Sequence, residues 1–313
     1  MSKQAYYKRI KSDNLKELQT DMIKELIKPI RNVMTTCGGK KLHLHIHDDL
    51  KMKNIKMGRD KFFTLLRVNH LLVKKTKRFH ITTDSNHFFY KSPNRIKNLD
   101  IVHSEQVFVN DITYIQLQSK HAYLALTTDA YSKKIMGWSI DTNMKVELVK
   151  GALRMAVKNR TFNHEKVIYH SDRGMQYCCP DFSEFAQQNG MIPSTTQNSD
   201  PYENAVAERI NGILKYEFGL IRTIPNLDVA KKMVKQAVDT YNNQRLHYSL
   251  NLNTPAHAHV NQTHDYKSYK KQIIKNNLNL NHQAETEPSS AGEQLARDTH
   301  DERQKCQITG KSQ

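Results

Sequence analysis

The sequence predicts an α/β protein, with a mixed five-stranded sheet and covering helices in the middle of the chain and a small helical domain before it. Three successive β-rich runs, separated by short polar turns, favour an antiparallel meander. Helical and strand patterns then alternate, which is typical of α/β sheets. The first third of the chain instead spaces its apolar residues as helices do.

Three helices are predicted before residue 82, at residues 15–31, 41–50 and 59–72. The first has one apolar face, and a lone amphipathic helix needs a partner surface to cover that face. The third is expected to turn Phe62 and residues 68–71 inward while its basic side chains stay outside. Together these patterns indicate a small helical domain.

Strands and helices alternate in the predicted core. The strands cover residues 107–115, 123–129, 134–140, 166–170 and 191–194. The helices cover residues 146–159, 181–188, about 201–218 and 227–242. Residues 82–100 lose periodicity and are predicted to be a linker, so the core spans residues 101–257. From residue 258 the composition turns polar, and we expect a disordered tail to residue 313.

Positive charge is concentrated in the N-terminal third of the chain. The net charge is +17, and residues 1–98 hold 23 Lys and Arg against 8 Asp and Glu. Lys and Arg that neutralise phosphates release condensed counterions, so a polyanionic partner is indicated. We therefore interpret residues 1–31 as an N-terminal helix and residues 32–81 as a helix-turn-helix-like DNA-binding domain.

The remaining composition bears on the compartment. Four cysteines in 313 residues do not make a disulfide framework, which fits a reducing cytoplasm. No run approaches the roughly twenty apolar residues that span a bilayer, and the start of the chain lacks the order of a signal peptide. We expect a cytoplasmic protein with no membrane partner, associated with the nucleoid when bound to DNA.

Three carboxylates stand in polar motifs of the core. Asp111 lies within a predicted strand, Asp172 follows the end of another, and Glu208 lies on a predicted helix. Each by itself is more often a capping, turn or solvated residue. If the fold brings them together, three carboxylates can hold two divalent cations, the arrangement that serves phosphoryl transfer. Glu208 also belongs to a polar helix stripe that includes Asn204, Asn211 and Lys215.

The motifs around these residues resemble those of a known family. Asn-Asp-Ile-Thr-Tyr, His-Ser-Asp-Arg-Gly-Met-Gln-Tyr, Glu-Asn-Ala-Val-Ala-Glu, Leu-Lys-Tyr-Glu and Tyr-Asn-Asn-Gln-Arg-Leu-His occur in the order found in the integrase catalytic core of bacterial insertion-sequence transposases. The 35 residues between Asp172 and Glu208 match the spacing of that family. Residues 1–256 as a whole resemble the downstream reading-frame product of the insertion sequence three family. The resemblance implies a ribonuclease H-like core of the retroviral integrase type.

The same resemblance implies a mechanism and a set of partners. Asp111, Asp172 and Glu208 would bind two Mg²⁺ ions, with Mn²⁺ as a substitute, for DNA cleavage and strand transfer at element ends. The partners implied are double-stranded DNA, as element ends and as target, further copies of the chain on that DNA, and the upstream reading-frame helix-turn-helix protein or its frameshift fusion. Without that partner, we expect the N-terminal helix to be partly unsupported.

Candidate DNA-contacting residues are polar or cationic and lie near the carboxylates or in the basic N-terminal region. Near the carboxylates they are His170, Arg173, Gln176, Asn204, Lys215, Arg245 and His247. In the N-terminal region they are Arg59, Lys61, Arg67, Lys74, Lys75, Lys77 and Arg78.

Two positions depart from the family pattern, in which Asp is common at Glu203 and Trp at Phe108. Neither change touches the carboxylates, and Glu203 lies on a different helix face from Glu208, so it is assigned no metal.

Two alternatives remain open. The chain could be a DNA-binding regulator with a decayed core, or another ribonuclease H-like nuclease with the same carboxylates. A zinc site from Cys37, His43, His45 and His47 is disfavoured because three histidines at positions i, i+2 and i+4 of a helix do not all face one side, and a second pair of ligands is absent. A serine hydrolase reading of His170 and Ser171 fails because adjacent strand residues face opposite sides.

Overall fold

The computed structural model describes residues 2–73, 88–163, 166–197 and 204–262. Several predicted features lie outside these ranges. They are Lys74, Lys75, Lys77, Arg78, Glu203 and the tail beyond residue 262. The rest of the predicted core can be compared with the structure.

Four helices form the N-terminal region. They are α1 (Lys3–Val33), α2 (Gly39–His45), α3 (His47–Met52) and α4 (Arg59–Val68). Helix α1 begins twelve positions earlier than predicted, where Ser2 Oγ accepts a hydrogen bond from the Ala5 amide at 3.2 Å. The helix predicted at 41–50 is instead two short helices, since Ile46 leaves helical geometry at φ −97° and ψ 2°.

The inward face of α4 was predicted correctly in part. Phe62 and Leu66 are fully buried, whereas Val68 is 70% exposed. The expectation that residues 68–71 turn inward is wrong at Val68, because α4 ends there and the chain turns away. Apolar residues at the end of a helix need not point to the same side as its buried face.

A mixed five-stranded sheet forms the core, as predicted. Its strands are β1 (Val107–Gln116), β2 (His121–Asp129), β3 (Ile135–Asp141), β4 (Val167–Ser171) and β5 (Met191–Thr195). The order across the sheet is β3-β2-β1-β4-β5. The pairs β1–β2 and β2–β3 are antiparallel, while β1–β4 and β4–β5 are parallel. An antiparallel meander thus continues into parallel strands at β1, which is the centre of the sheet.

Helices cover both faces of this sheet. They are α5 (Val146–Lys158), α6 (Met175–Cys178), α7 (Pro180–Gln188), α8 (Ala205–Glu217), α9 (Leu227–Asn243) and α10 (Pro255–Asn261), with a 3₁₀ turn at Tyr248–Leu250. On one face α5 approaches β3 so closely that a Cβ on Gly137 would lie 2.1 Å from the Ala152 carbonyl oxygen. Helices α8 and α9 pack on the other face, where Leu124 and Leu126 point.

The N-terminal helices and the core share one apolar cluster. It runs from Ile23 and Ile27 of α1 through Phe62 to Leu214 and Tyr241 of α8 and α9. The junction is also hydrogen-bonded, because the hydroxyls of Thr35 and Thr36 donate to the carbonyls of Glu217 and Tyr216 at the end of α8. These contacts satisfy carbonyls that a helix end leaves without partners.

Order extends past the predicted start of the tail. Helix α10 reaches Asn261, and Ala258 and His259 within it are buried, so the predicted boundary at residue 258 is too early. The polar composition of this segment suggested an exposed tail, but His259 is buried, where it pairs with the carboxylates of Glu105 and Asp129. No helix in the described ranges is long and apolar enough to cross a bilayer.

A buried polar network fixes α10 to the sheet. His259 Nε2 lies 3.1 Å from Glu105 Oε1, and its Nδ1 lies 3.5 Å from Asp129 Oδ2 and 3.0 Å from Ser132 Oγ. Arg160 also pairs with Glu105 at 3.2 Å. Burial alone lowers the pKa of His259, but the two carboxylates outweigh it and raise that pKa above its ordinary value, despite the opposing charge of Lys134. The charged imidazole therefore stabilises the fold.

We expect His259→Gln to destabilise the protein by about 3 kcal/mol at pH 6, since it removes the imidazolium that pairs with two buried carboxylates. The histidine contribution is complete below its unfolded pKa and is lost as pH rises through the higher folded pKa. The deficit should therefore shrink at pH 9. Urea unfolding at both pH values measures it, with His257→Gln on the exposed face of α10 as the control. An equal deficit at both pH values would contradict the charged pair.

The first half of α1 is expected to open readily. Every residue from Ser2 to Leu18 is exposed, whereas Ile23 and Ile27 are buried. Helix without tertiary packing is marginal in water, so the amides of residues 3–18 should exchange with solvent much faster than those of residues 24–33. Hydrogen exchange followed by mass spectrometry measures the difference. Strong protection throughout α1 in the isolated chain would refute it.

Candidate active site

The strand register brings two of the predicted carboxylates side by side. In the parallel pairing of β1 with β4, Asn110 stands opposite Ser171. Asp111 and Asp172 are the residues that directly follow this pair, and neighbouring strands lie about 4.8 Å apart. Asp111 sits in the middle of β1, while Asp172 comes immediately after β4 ends. The pair therefore lies at the carboxyl end of a parallel strand, the usual ligand-binding edge of an α/β sheet.

Helix α8 brings the third carboxylate over this pair. Asn211 Nδ2 donates to Asp111 Oδ2 at 2.8 Å, and Glu208 lies one turn earlier on the same side of the helix. At the start of α8, Asn204 Nδ2 donates to the Asn110 carbonyl at 3.1 Å. Near its end, Lys215 Nζ lies 4.2 Å from the centre of the Tyr114 ring. The polar stripe predicted on this helix thus lies along β1.

The three acids influence one another electrostatically. Burial, and then the charges of Asp172 and Glu208, raise the pKa of Asp111 to about 7, although the bond from Asn211 opposes the rise. Burial and the charge of Asp172 also raise the pKa of Glu208. Within the described chain Asp111 makes no ion pair. Three acidic side chains are therefore crowded at the site, and their mutual repulsion adds to the effect of burial on Asp111.

The donor set suits a hard divalent cation. Carboxylate oxygens are the ligands that Mg²⁺ and Mn²⁺ prefer, and close like charges favour a cation between them. Asp172 Oδ1 accepts the Gly174 amide at 3.0 Å, and a Cβ on Gly174 would lie only 3.0 Å from that oxygen. In the described ranges no three His, Cys, Asp or Glu side chains are drawn closely enough around one point to form a complete cage for an ion. Glu208 remains exposed above the aspartate pair.

Four residues predicted to contact DNA are buried instead. His170 is fully buried, with Nδ1 2.9 Å from Ser194 Oγ, and Asn204 is bonded to the strand below it. Arg245 forms a two-pronged ion pair with Glu217, both contacts being 2.7 Å. His247 packs edge-on against Tyr241, where burial and nearby cations lower its pKa to about 2. The structure contradicts direct DNA contact for all four, since sequence polarity did not distinguish a binding side chain from a buried one.

The other predicted contacts that the structure describes remain available to solvent in part or in full. Arg173 is half-buried, with Nε donating to the Thr196 carbonyl, and Gln176 Nε2 donates to the Met144 carbonyl. Arg59, Lys61 and Arg67 are exposed on α4. Their contact with DNA stays a prediction.

Two residues at the site were given no individual role from the sequence. Asn211 was placed in the polar stripe with Glu208, and the structure shows that it orients Asp111. Tyr177 lies beside Asp172. A Cβ built on Gly174 would stand 3.0 Å from Asp172 Oδ1 and 3.6 Å from Tyr177 Cδ2. Nothing in the sequence pattern distinguished Tyr177 from an ordinary core aromatic residue.

Comparisons with known proteins agree with this geometry. Two family models described as "Integrase core domain" match residues 102–201 and 189–255. A Shigella sonnei protein named "Insertion element IS600 uncharacterized 31 kDa protein" is 30% identical over 260 residues, covering 82% of this chain and 94% of that protein. The Escherichia coli K12 transposase InsF of insertion sequence IS3fB is 31% identical over 156 residues, covering 49% of this chain and about half of that relative, 53%.

Among solved structures, the HTLV-2 integrase catalytic core domain in complex with magnesium aligns with a TM-score of 0.40 at 18% identity, covering 50% of this chain and 98% of that one. The sheet order and the family models define the fold. They describe a ribonuclease H-like α/β core of the polynucleotidyl-transferase type. The chain belongs to the family of bacterial insertion-sequence transposases that carry an integrase core domain.

We expect Asp111→Asn to stabilise the metal-free protein at pH 8. The pKa of Asp111 rises from 3.8 to about 7 on folding, so ionisation opposes folding, and stability is lost as pH rises through that interval. The amide removes the charge and keeps one acceptor oxygen for Asn211, and it loses the bond from the Ile112 amide to the other oxygen. Relief of the charge crowding is expected to outweigh that lost bond. The melting temperature in a chelator should rise by about 3 °C or more at pH 8 and by less at pH 5.

The exposed Asp141→Asn serves as the control, since its side chain accepts only local hydrogen bonds, from the Asn143 amide and the Thr142 hydroxyl. A lower melting temperature for Asp111→Asn at pH 8 would contradict the charge crowding.

Proposed function

We propose that this chain catalyses metal-dependent cleavage and strand transfer of DNA at the ends of an insertion sequence. The observation that carries the proposal is the position of Asp111 on β1 beside Asp172, which directly follows the neighbouring parallel strand β4, with Glu208 above them on α8. Membership of the transposase family supports the same reaction. Sites of this composition serve in-line displacement at phosphorus.

Asp111, Asp172 and Glu208 would hold two Mg²⁺ ions, or Mn²⁺, which would activate the attacking water or 3′-hydroxyl and stabilise the leaving oxygen. The protein residues prepare the site in two ways. Asn211 fixes one oxygen of Asp111, so that carboxylate keeps one orientation. Because its pKa is raised to about 7, the Asp111 carboxyl group is partly protonated near neutral pH. Cation binding must release that proton.

Basic residues of the N-terminal region would hold the DNA. Arg59, Lys61 and Arg67 stand exposed on α4, and the charge of residues 1–98 is strongly positive. Lys74, Lys75, Lys77 and Arg78 extend the same basic run in the sequence. Arg173, Gln176 and Lys215 would position the backbone near the carboxylates. Each cation that contacts phosphate adds to the salt dependence of binding.

The proposal includes further protein partners. Joining two element ends to a target calls for at least two copies of the chain on the DNA. The upstream reading-frame protein, or its fusion to this chain, is proposed to add end recognition. Exposed Leu15, Leu18 and Met22 on α1 support a covering partner for that helix.

Cleavage and joining should depend on Glu208. With labelled duplexes that carry the element's own ends, and Mg²⁺ or Mn²⁺, the intact chain should yield nicked and joined products. Glu208→Gln should lower both by about 100-fold or more, the scale of losing one catalytic electrostatic group. Glu184→Gln, an exposed substitution of the same kind on α7, should leave both unchanged.

The outcomes separate the competing functions. Binding without products, even after addition of the upstream-frame protein, would indicate a DNA-binding regulator. Metal-dependent cleavage without strand transfer and without preference for the element ends would indicate a different ribonuclease H-like nuclease.

A further inference from the structure

The polar stripe of α8 contacts β1 along its length, and its last member contacts an aromatic ring. Asn204 and Asn211 donate hydrogen bonds to the strand. The Lys215 ammonium lies 4.2 Å from the centre of the Tyr114 ring. Among the described residues this is the shortest contact between a cation and an aromatic ring, since the others are 5.3 Å or longer. At this distance the negative face of the ring attracts the ammonium.

The Lys215 side chain reaches this ring past the edge of β1. Strand residues alternate between the two faces of a sheet, so Asp111 and Tyr114 point to opposite faces. Asp111 faces α8, whereas Ile112, which shares a face with Tyr114, packs with the apolar cluster that includes α5. The strand β4 pairs only with Val107–Asn110, so the next residues of β1 have no described strand on that side. The side chain of Lys215 starts from α8 and passes through this opening.

The Tyr114 ring is held in place by the strand next to it. Along this stretch β1 is paired with β2, and Tyr114 stands opposite Tyr123. The ring of His121, also on β2, meets the Tyr114 ring edge-on, with 5.7 Å between the two ring centres. The sheet therefore supports the surface that the ammonium contacts.

The other group that attracts the Lys215 ammonium is the Asp111 carboxylate. Burial lowers the pKa of Lys215 and the charge of Asp111 opposes that effect, so the two groups interact electrostatically. Neither group belongs to an ion pair within the described chain. The two oxygens of Asp111 already accept one hydrogen bond each, from Asn211 and from the Ile112 amide. An ion pair with Lys215 would add a third donor and leave less of the carboxylate for a metal ion.

We propose that Tyr114 is a positioning residue for the reaction, because its ring holds the Lys215 ammonium away from Asp111. The carboxylate then stays open to a divalent cation, and the ammonium stays open to a phosphate of the bound DNA strand. Tyr114 acts through Lys215 and contacts no reacting atom itself. The inference rests on the proposed function, because it takes Asp111 as a ligand of the cation.

The test measures Mn²⁺ binding to the full chain without DNA, by the loss of the paramagnetic resonance signal of free Mn²⁺. Tyr114→Leu removes the ring and lets Lys215 pair with Asp111, so Mn²⁺ should bind about tenfold more weakly, because an ammonium then has to be displaced. Tyr114→Phe keeps the ring face and should preserve the affinity. Tyr248→Leu removes a ring that cations contact outside the site, and this control should also preserve the affinity. Melting temperatures check that each variant is folded.

A Lys215→Met background separates positioning from a structural role of the ring. The ammonium is absent there, so Tyr114→Leu should no longer change the Mn²⁺ affinity. An equal loss of affinity in both backgrounds, or no loss in either, would overturn the inference and leave the proposed function standing. Mn²⁺ binding that Asp111→Asn leaves unchanged would overturn the proposed metal site and the inference with it.

Discussion

The placement of α8 against β1 is the constraint on which the candidate site depends. Asn204 and Asn211 of this helix are hydrogen-bonded to Asn110 and Asp111 of the strand, and the apolar side of the helix, including Leu214, is buried against the core. A helix fixed on both sides cannot rotate or slide without breaking buried hydrogen bonds. Glu208 makes no such bond within the described part of the chain, so its neighbours on α8 set its position over the aspartates.

The far end of α8 is fixed by the N-terminal helices. Thr35 and Thr36 cap its last carbonyls, and the ion pair of Glu217 with Arg245 lies next to buried Lys41, whose pKa burial lowers to about 8. One apolar cluster continues across this junction. The basic region and α8 therefore share a packed boundary, and movement of the N-terminal helices would be transmitted to α8 by direct contact.

The crowded negative charges around Asp111 lower the stability of the folded protein. Asp111 is held near two other acids without an ion pair in the described chain, and its raised pKa records that cost. The opposite arrangement holds at Glu105, where His259 and Arg160 supply the charge and lower the carboxyl pKa against the effect of burial. The protein thus pairs Glu105 with its own cationic side chains, whereas Asp111 makes no ion pair within the described chain.

The sequence by itself determined the strand order of the meander, the alternating elements and the three carboxylates, because periodicity and motif spacing are local properties of the chain. It did not determine which polar residues face solvent: His170, Arg245 and His247 resembled DNA contacts and are buried. Only the tertiary structure decided that Asn211 orients Asp111 and that the segment before the core is hydrogen-bonded to β5. Such contacts join residues about a hundred positions apart, and no local pattern records them.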